Sequence, residues 1–329
     1  MVGCSPSTTE TSEEIQSEEK APAAEQVENQ KLQETLDSPK EDGTVISFEQ
    51  VEAASIDPDL DAYQMMYWSE GIETAAYVTI PKKKGHYFLG VICHGGYVIP
   101  LDFEGIQSID EEVFDTESML SEMSSEAITL QPLYRGYGES KGTAPGLHGA
   151  TIDTNNAIDA LYSYFKEGNM ESSVRSGFIS LSGGSLGGGV VLKLSQMRKD
   201  IDNVVAINPY VGLDLAYPWA ENHPENDWNK GFLKTYHKEF GDYDPASIQA
   251  KEESIELKRS FTPILIVQGK EDEVMNWELT QTFYEKLKKE NQNEHTILEF
   301  IPDGDHYLLE HENELNQIID NWYRDIGSM

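Results

Sequence analysis

Phe178-Ile179-Ser180-Leu181-Ser182-Gly183-Gly184-Ser185-Leu186-Gly187-Gly188-Gly189 sets a serine into a sharp turn between an apolar strand and an apolar helix. Phe178 to Leu181 has the length and apolarity of a short buried strand, and Val190, Val191, Leu192 and Leu194 form the buried side of a helix over Leu186–Met197. Between them stands the pattern GxSxG. Gly183 and Gly187 lack Cβ atoms, so strand and helix can approach closely while the backbone takes the strained turn that projects a hydroxyl outward. The next amide, on Leu186, opens the helix, where partial positive charge can stabilise an oxyanion.

A second match provides a control. Gly138-Glu139-Ser140-Lys141-Gly142 has the same spacing, but Thr143-Ala144-Pro145-Gly146 follows it and opens no helix. Context therefore selects Ser185 as the nucleophile and makes Ser140 part of a glycine-rich loop.

Working outward, the pattern alternates strands with helix-length segments. Two extended runs, Gln64 to Trp68 and Glu73 to Ile80, flank Ser69-Glu70-Gly71 as a hairpin. Strands are predicted at His86 to Cys93, Ala127 to Leu133, Phe178 to Leu181, Val204 to Ile207, Pro263 to Gln268 and Thr296 to Ile301. Helices are predicted near Ile106 to Ser124, Thr151 to Lys166, Leu186 to Met197 and Trp277 to Lys289, with a final helix after the strand Thr296 to Ile301 that ends at about Arg324. This order implies an α/β fold with a mostly parallel, eight-stranded sheet covered on both faces and an antiparallel leading edge. The interval 212–260 breaks the rhythm and is rich in aromatics, including Tyr217, Trp219, Trp228, Phe232 and Tyr236. It reads as a small helical lid over the carboxyl edge of the sheet, or as a surface elaboration whose aromatics pack on the domain.

The chain of 329 residues carries a net charge of −35. Residues 1–44 contain no Phe, Trp or Tyr and have a net charge of −8, so they read as a disordered acidic tether ahead of a folded domain over 45–329. The remaining −27 disfavours nucleic acid and anionic membrane surfaces as partners. Of two cysteines, Cys93 ends an apolar strand as a buried thiol and Cys4 lies in the tether, so no disulfide framework is expected. Met1-Val2-Gly3-Cys4-Ser5 resembles the end of a bacterial lipoprotein signal peptide. That resemblance implies a lipidated Cys4 anchoring a surface or secreted protein. The alternative is an accidental match in a cytoplasmic chain, because the charged and apolar signal regions are missing.

A serine needs a base, and an imidazole base needs a partner that fixes its tautomer. His306 follows the predicted strand Thr296 to Ile301 through Pro302-Asp303-Gly304-Asp305, at a carboxyl strand end just before the last helix. For the carboxylate, Ile264 to Gln268 runs into Gly269-Lys270-Glu271-Asp272-Glu273-Val274. Asp272 is preferred, three residues past Gly269 and two before the apolar Val274; Glu271 and Glu273 read as solvated charge. The chain order Ser185, Asp272, His306 is that of α/β-hydrolases. His94-Gly95-Gly96-Tyr97, after the strand ending at Cys93, supplies further oxyanion or substrate-binding groups beside Leu186. Among these Gly95 allows close approach, and Gly96 and Tyr97 are the candidate donors, Tyr97 by its amide or its hydroxyl. His94 reads as a brace for the loop.

From about Gln64 to Tyr323 the chain resembles an α/β-hydrolase of the prolyl oligopeptidase and dienelactone hydrolase branch. The residues that carry the resemblance are the HGG at His94 to Gly96, Tyr134-Arg135-Gly136-Tyr137-Gly138, the Ser185 elbow, Gly269 to Asp272, and Gly304-Asp305-His306. The resemblance implies a serine hydrolase with a covalent acyl-enzyme, no metal or organic cofactor, and a structural Arg135. Esters are the expected substrates and short peptides the alternative. The β-propeller that precedes the hydrolase domain in the large peptidases has no counterpart in the short tether, which puts oligopeptidyl cleavage in doubt. A binding protein on a hydrolase scaffold is the reading from another class. Oligomeric state is not legible.

Overall fold

The structure, a computed structural model, describes residues 41–53, 56–101 and 126–327. The predicted helix near Ile106 to Ser124, residues 1–40 of the tether and with them Cys4 lie outside the described residues. The last residues assigned to the tether, 41–44, are described, and Gly43 N donates to Trp68 O at 2.9 Å while Thr44 O accepts from Trp68 N at 3.0 Å, which ties them to the strand that Trp68 belongs to.

Strands β1 (Val45–Val51), β2 (Leu60–Ser69), β3 (Ile72–Pro81), β4 (His86–Cys93), β5 (Ile128–Leu133), β6 (Ser173–Gly184), β7 (Ile201–Ile207), β8 (Ile264–Gly269) and β9 (Ile297–Ile301) form one sheet. Its order is β1-β2-β3-β5-β4-β6-β7-β8-β9. The first three neighbour pairs are antiparallel and the remaining five parallel. The expected count of eight is therefore corrected to nine among the described residues. The extra strand is β1, whose residues are all only half-buried or exposed, so it carries little of the apolar signal that marks the central strands.

Strand register sorts side chains onto two faces. In β8, Ile264 and Ile266 join the large core cluster while Leu265 and Val267 join a second one with Ile301 and Trp322. Val204 and Ala206 of β7 divide from Val205 in the same way. Successive residues of a strand point to opposite faces, so a strand buried on both sides must be apolar throughout, and β8 is fully buried.

Helices α1 (Gly146–Lys166), α2 (Leu186–Met197) and α6 (Trp277–Glu290) contribute to the large cluster. On the other face, α7 (Glu312–Ile326) contributes Trp322 to the second cluster. Its only buried residue is that tryptophan, whose indole N–H donates to His295 O at 2.8 Å. Helix α1 begins five residues before its predicted start. The glycines that obscured this start in the sequence are accommodated because Gly146 has φ of +65° and packs against Pro100.

In the aromatic interval lie α3 (Leu213–Asn222), α4 (Asp227–Phe240) and α5 (Ile248–Glu252). Tyr217, Phe232 and Tyr236 are buried, and Tyr217 stacks on Tyr243 at 4.1 Å. Much of the interval's aromatic content thus packs within it. Trp219 and Trp228 also stack on neighbours in the interval but remain partly exposed.

Glu253, just past α5, joins this interval to the main domain. Its carboxylate accepts from the amides of Leu147 (2.8 Å) and His148 (3.3 Å) at the start of α1. Burial pushes its carboxyl up to about 8 despite those donors. With the folded value raised above the ordinary one near 4.5, this group's contribution to stability is complete below pH 4.5 and is lost as pH rises through about 8. Glu253→Gln is expected to remove that slope. Melting temperatures at pH 5 and pH 9 should show the variant gaining on the parent at the higher pH.

Candidate active site

Ser185 occupies the junction of β6 and α2 with φ of 56° and ψ of −120°. Such a conformation costs a non-glycine residue about 1–3 kcal/mol and persists only where surrounding contacts impose it. Here the Ser185 amide donates to Ile207 O at 3.0 Å, and its carbonyl accepts from Tyr210 at 2.9 Å and Gly189 at 3.2 Å. The turn is therefore tied to the end of β7 on one side and to α2 on the other. A Cβ on Gly187 would sit 2.0 Å from the carbonyl oxygen of Cys93, and one on Gly183 would sit 2.5 Å from that of Gly187. Only glycine fits at either position.

The loop after β4 lies against this serine. A Cβ on Gly95 would be 3.5 Å from Ser185 Cβ and 3.9 Å from its Oγ. Gly96 abuts the Tyr137 hydroxyl. The amide of Tyr97 donates to that same hydroxyl at 2.8 Å, so it is committed within the protein and the oxyanion roles pass to the other candidates, Gly96 and Leu186. What remains to Tyr97 is its side chain, which is exposed. His94 donates from Nδ1 to Gly95 O at 2.6 Å and lies 4.0 Å from the Tyr134 ring. Burial lowers its imidazole to about 4, so it stays neutral in neutral solution, as suits a brace.

Asp272 is buried, with a fully enclosed side chain. Its Oδ1 accepts from the amides of Val274 and Met275, each at 2.8 Å, and its Oδ2 meets His306 Nδ1 at 2.8 Å. Gln268 Nε2 stands 3.4 Å from Oδ2 and donates to Met275 O at 2.9 Å. Glu271 and Glu273 are exposed. Of three consecutive acids, one is turned inward because Val274 and Met275 pack beneath the loop and offer their amides to it.

Asn208 connects these parts and has no signal in the sequence beyond its place after a buried strand. It is 1% exposed and has φ of 42°. Its side chain donates to the carbonyls of Asp305 (3.0 Å) and His306 (2.9 Å) and accepts from Gly269 N at 2.7 Å. One residue away, Ile207 O holds the Ser185 amide. The ends of β7 and β8 and the loop after β9 thus meet at a single side chain. Asn208→Ala would leave the buried Gly269 amide and the part-buried carbonyls of Asp305 and His306 without this partner, at about 1–3 kcal/mol for the buried amide and less for the carbonyls. Loosening of His306 is expected to lower kcat by roughly 10- to 100-fold with little change in KM, since small misplacements of a reacting group have effects of that size. Steady-state kinetics alongside a melting curve check this.

Ser140 stands apart from these residues. Its hydroxyl donates to Leu133 O at 2.6 Å and accepts from Ala75 N at 2.8 Å, pinning the turn to the sheet. Arg135 is also structural, its Nε and Nη2 holding the buried Asp153 of α1. Cys93 is a buried free thiol, pushed up to about 12 by burial. Among the described residues, no group of three or more His, Cys, Asp or Glu is placed to hold a metal ion. Among them, too, no helix is long and apolar enough to cross a membrane.

Residues 163–310 match the family model described as the C-terminal region of BAAT and acyl-CoA thioester hydrolases. A search of curated proteins finds no match to the sequence. Among solved structures, acetyl xylan esterase 1 from a Thermoanaerobacterium species superposes with a TM-score of 0.56 at 17% identity, over 89% of this chain and 91% of that one. A cell-wall-degrading esterase of Xanthomonas oryzae gives 0.57 at 14% identity, over 86% and 100%. The acylaminoacyl peptidase of Pyrococcus horikoshii gives 0.59 at 14% identity, over 82% of this chain but 42% of that one. At such identities the likeness establishes a shared fold.

Proposed function

We propose that this chain, which has the α/β-hydrolase fold, is a serine hydrolase acting on carboxylic esters through an acyl-enzyme, as its resemblance to the prolyl oligopeptidase and dienelactone hydrolase branch suggests. The observation that carries the reading is the 2.8 Å contact between His306 Nδ1 and the enclosed Asp272 carboxylate, held by Asn208 to the strand that anchors the Ser185 elbow.

In this reading Ser185 Oγ attacks the ester carbonyl carbon while His306 Nε2 takes its proton, and Asp272 stabilises the imidazolium. The carbonyl oxygen, now negative, is met by the amide of Leu186 at the start of α2, with Gly96 as the second donor. The carbon–oxygen bond then breaks, and the departing alcohol takes the proton from His306. Water enters, gives a proton to His306, and attacks the acyl carbon; Ser185 leaves with that proton restored. Nothing in this cycle needs a group that the chain itself does not carry.

A second reading, thioester cleavage, is favoured by the family description over 163–310, and short acyl-peptides are raised by the peptidase neighbour. A panel of p-nitrophenyl esters, acyl thioesters and aminoacyl anilides separates the three, with fluorophosphonate labelling of Ser185 as the common control. Turnover of esters well above the others supports the leading reading. Absence of labelling in folded protein overturns all three.

A further inference from the structure

A cavity of about 320 Å³ lies between α3, α4 and the loop that carries Asp272. It is one residue removed from two parts of the candidate site. Tyr210, in its wall, donates its amide to Ser185 O, and Val274 and Met275, also in its wall, donate theirs to Asp272. Helix α4 is fastened to this loop, because Asn226 caps the helix and its Nδ2 donates to Glu273 O at 3.0 Å.

The lining has a particular chemistry. Trp219 and Trp228 present indoles, each held by a stacked neighbour: His223 at 3.8 Å on Trp219 and Phe232 at 5.2 Å on Trp228. Glu225 and Glu273, both exposed, line the same cavity together with His223, and among the described residues no lysine or arginine lines it. Lys230 on α4, the nearby cation, donates to Asp227 at 2.7 Å and to the backbone oxygen of Glu225 at 3.4 Å, and is not itself a lining residue. An aromatic face attracts a cation through its ring quadrupole, and flanking carboxylates add to that attraction. A polyanionic group would meet both Glu225 and Glu273 with no lysine or arginine among the described lining residues to offset them.

We propose that this cavity is a recognition pocket for an organic cation, so that the preferred substrate carries an alkylammonium or similar group on its non-reacting end. The proposal rests on the serine-hydrolase reading and deepens it by naming a substrate class. It also separates that class from coenzyme-A-type thioesters, whose phosphates are repelled here.

The test compares butyrate esters of choline and of 3,3-dimethylbutanol, which share a shape and differ in charge. At low ionic strength kcat/KM should favour the cationic ester by about tenfold. That preference should vanish in Glu225→Gln/Glu273→Gln, with the fold of the variant checked by its melting temperature and its site by fluorophosphonate labelling of Ser185. Equal rates on both esters, or a preference that survives the double substitution, overturns the proposal. Binding to Ser185→Ala is read separately by tryptophan fluorescence, with benzyltrimethylammonium and benzenesulfonate as probes. A response to the cation alone supports the pocket even if neither ester is hydrolysed; equal or absent responses count against it. Fluorophosphonate labelling of Ser185 reports independently on the hydrolase reading, so failure of one is distinguishable from failure of the other.

Discussion

Ser185→Ala is expected to lower ester turnover by about 10⁴-fold or more, leaving only what oxyanion binding and substrate positioning supply. The size follows from removing the atom that forms the acyl bond in the proposed mechanism; the other serine with the same sequence spacing, Ser140, is buried and doubly hydrogen-bonded to the sheet. The elbow should survive the change, since its hold on Ser185 runs through the backbone, from Ile207 O and Tyr210 N. Ser185→Gly is informative beside it. At φ of 56° and ψ of −120° glycine is unstrained, so this equally inactive variant should melt no lower than the parent. Rates on a p-nitrophenyl ester together with melting curves check both. Full activity in either variant would remove the serine from the mechanism.

Asp272→Asn is expected to lower kcat by about 10⁴-fold while the fold persists. The geometry around the carboxylate dictates why. Oδ1 accepts from two backbone amides, Val274 N and Met275 N, so in the variant the amide oxygen must occupy that position. The NH₂ group then faces His306 Nδ1, in place of the acceptor that now stands 2.8 Å away. An imidazole facing a donor turns its unprotonated nitrogen toward it and carries its proton on Nε2, the tautomer that cannot accept a proton from Ser185. A pH-rate profile distinguishes this from a loss of structure. Activity should recover in part at high pH, where a fraction of serine is ionised without a base, and the melting temperature should change little. An unchanged rate would show that another carboxylate serves His306.

The central strands were legible because they are apolar on both faces, and Leu186–Met197 was read to the residue because a glycine turn precedes it and a buried stripe runs along it. The elbow, His306 and the choice of Asp272 came from the same local signals. Strand β1 was missed because a half-buried edge strand has no periodicity strong enough to separate it from a loop. Asn208 was missed for a different reason. Its work is done by side-chain bonds to Gly269, Asp305 and His306, residues 61 to 98 positions away, and no local pattern records them.

The sequence by itself therefore determined the order of the central strands and the helices that follow them, and the types and chain order of the candidate site side chains, since these depend on burial and turn chemistry within a few residues. Tertiary structure alone decided which groups are available. It committed the Tyr97 amide to Tyr137, packed Tyr217 and Tyr236 into the core, and left Trp219 and Trp228 with Glu225 and Glu273 around a cavity. Hydrogen bonds and apolar contacts between distant segments set those outcomes, and they exist only once the sheet has brought the ends of its strands to one edge.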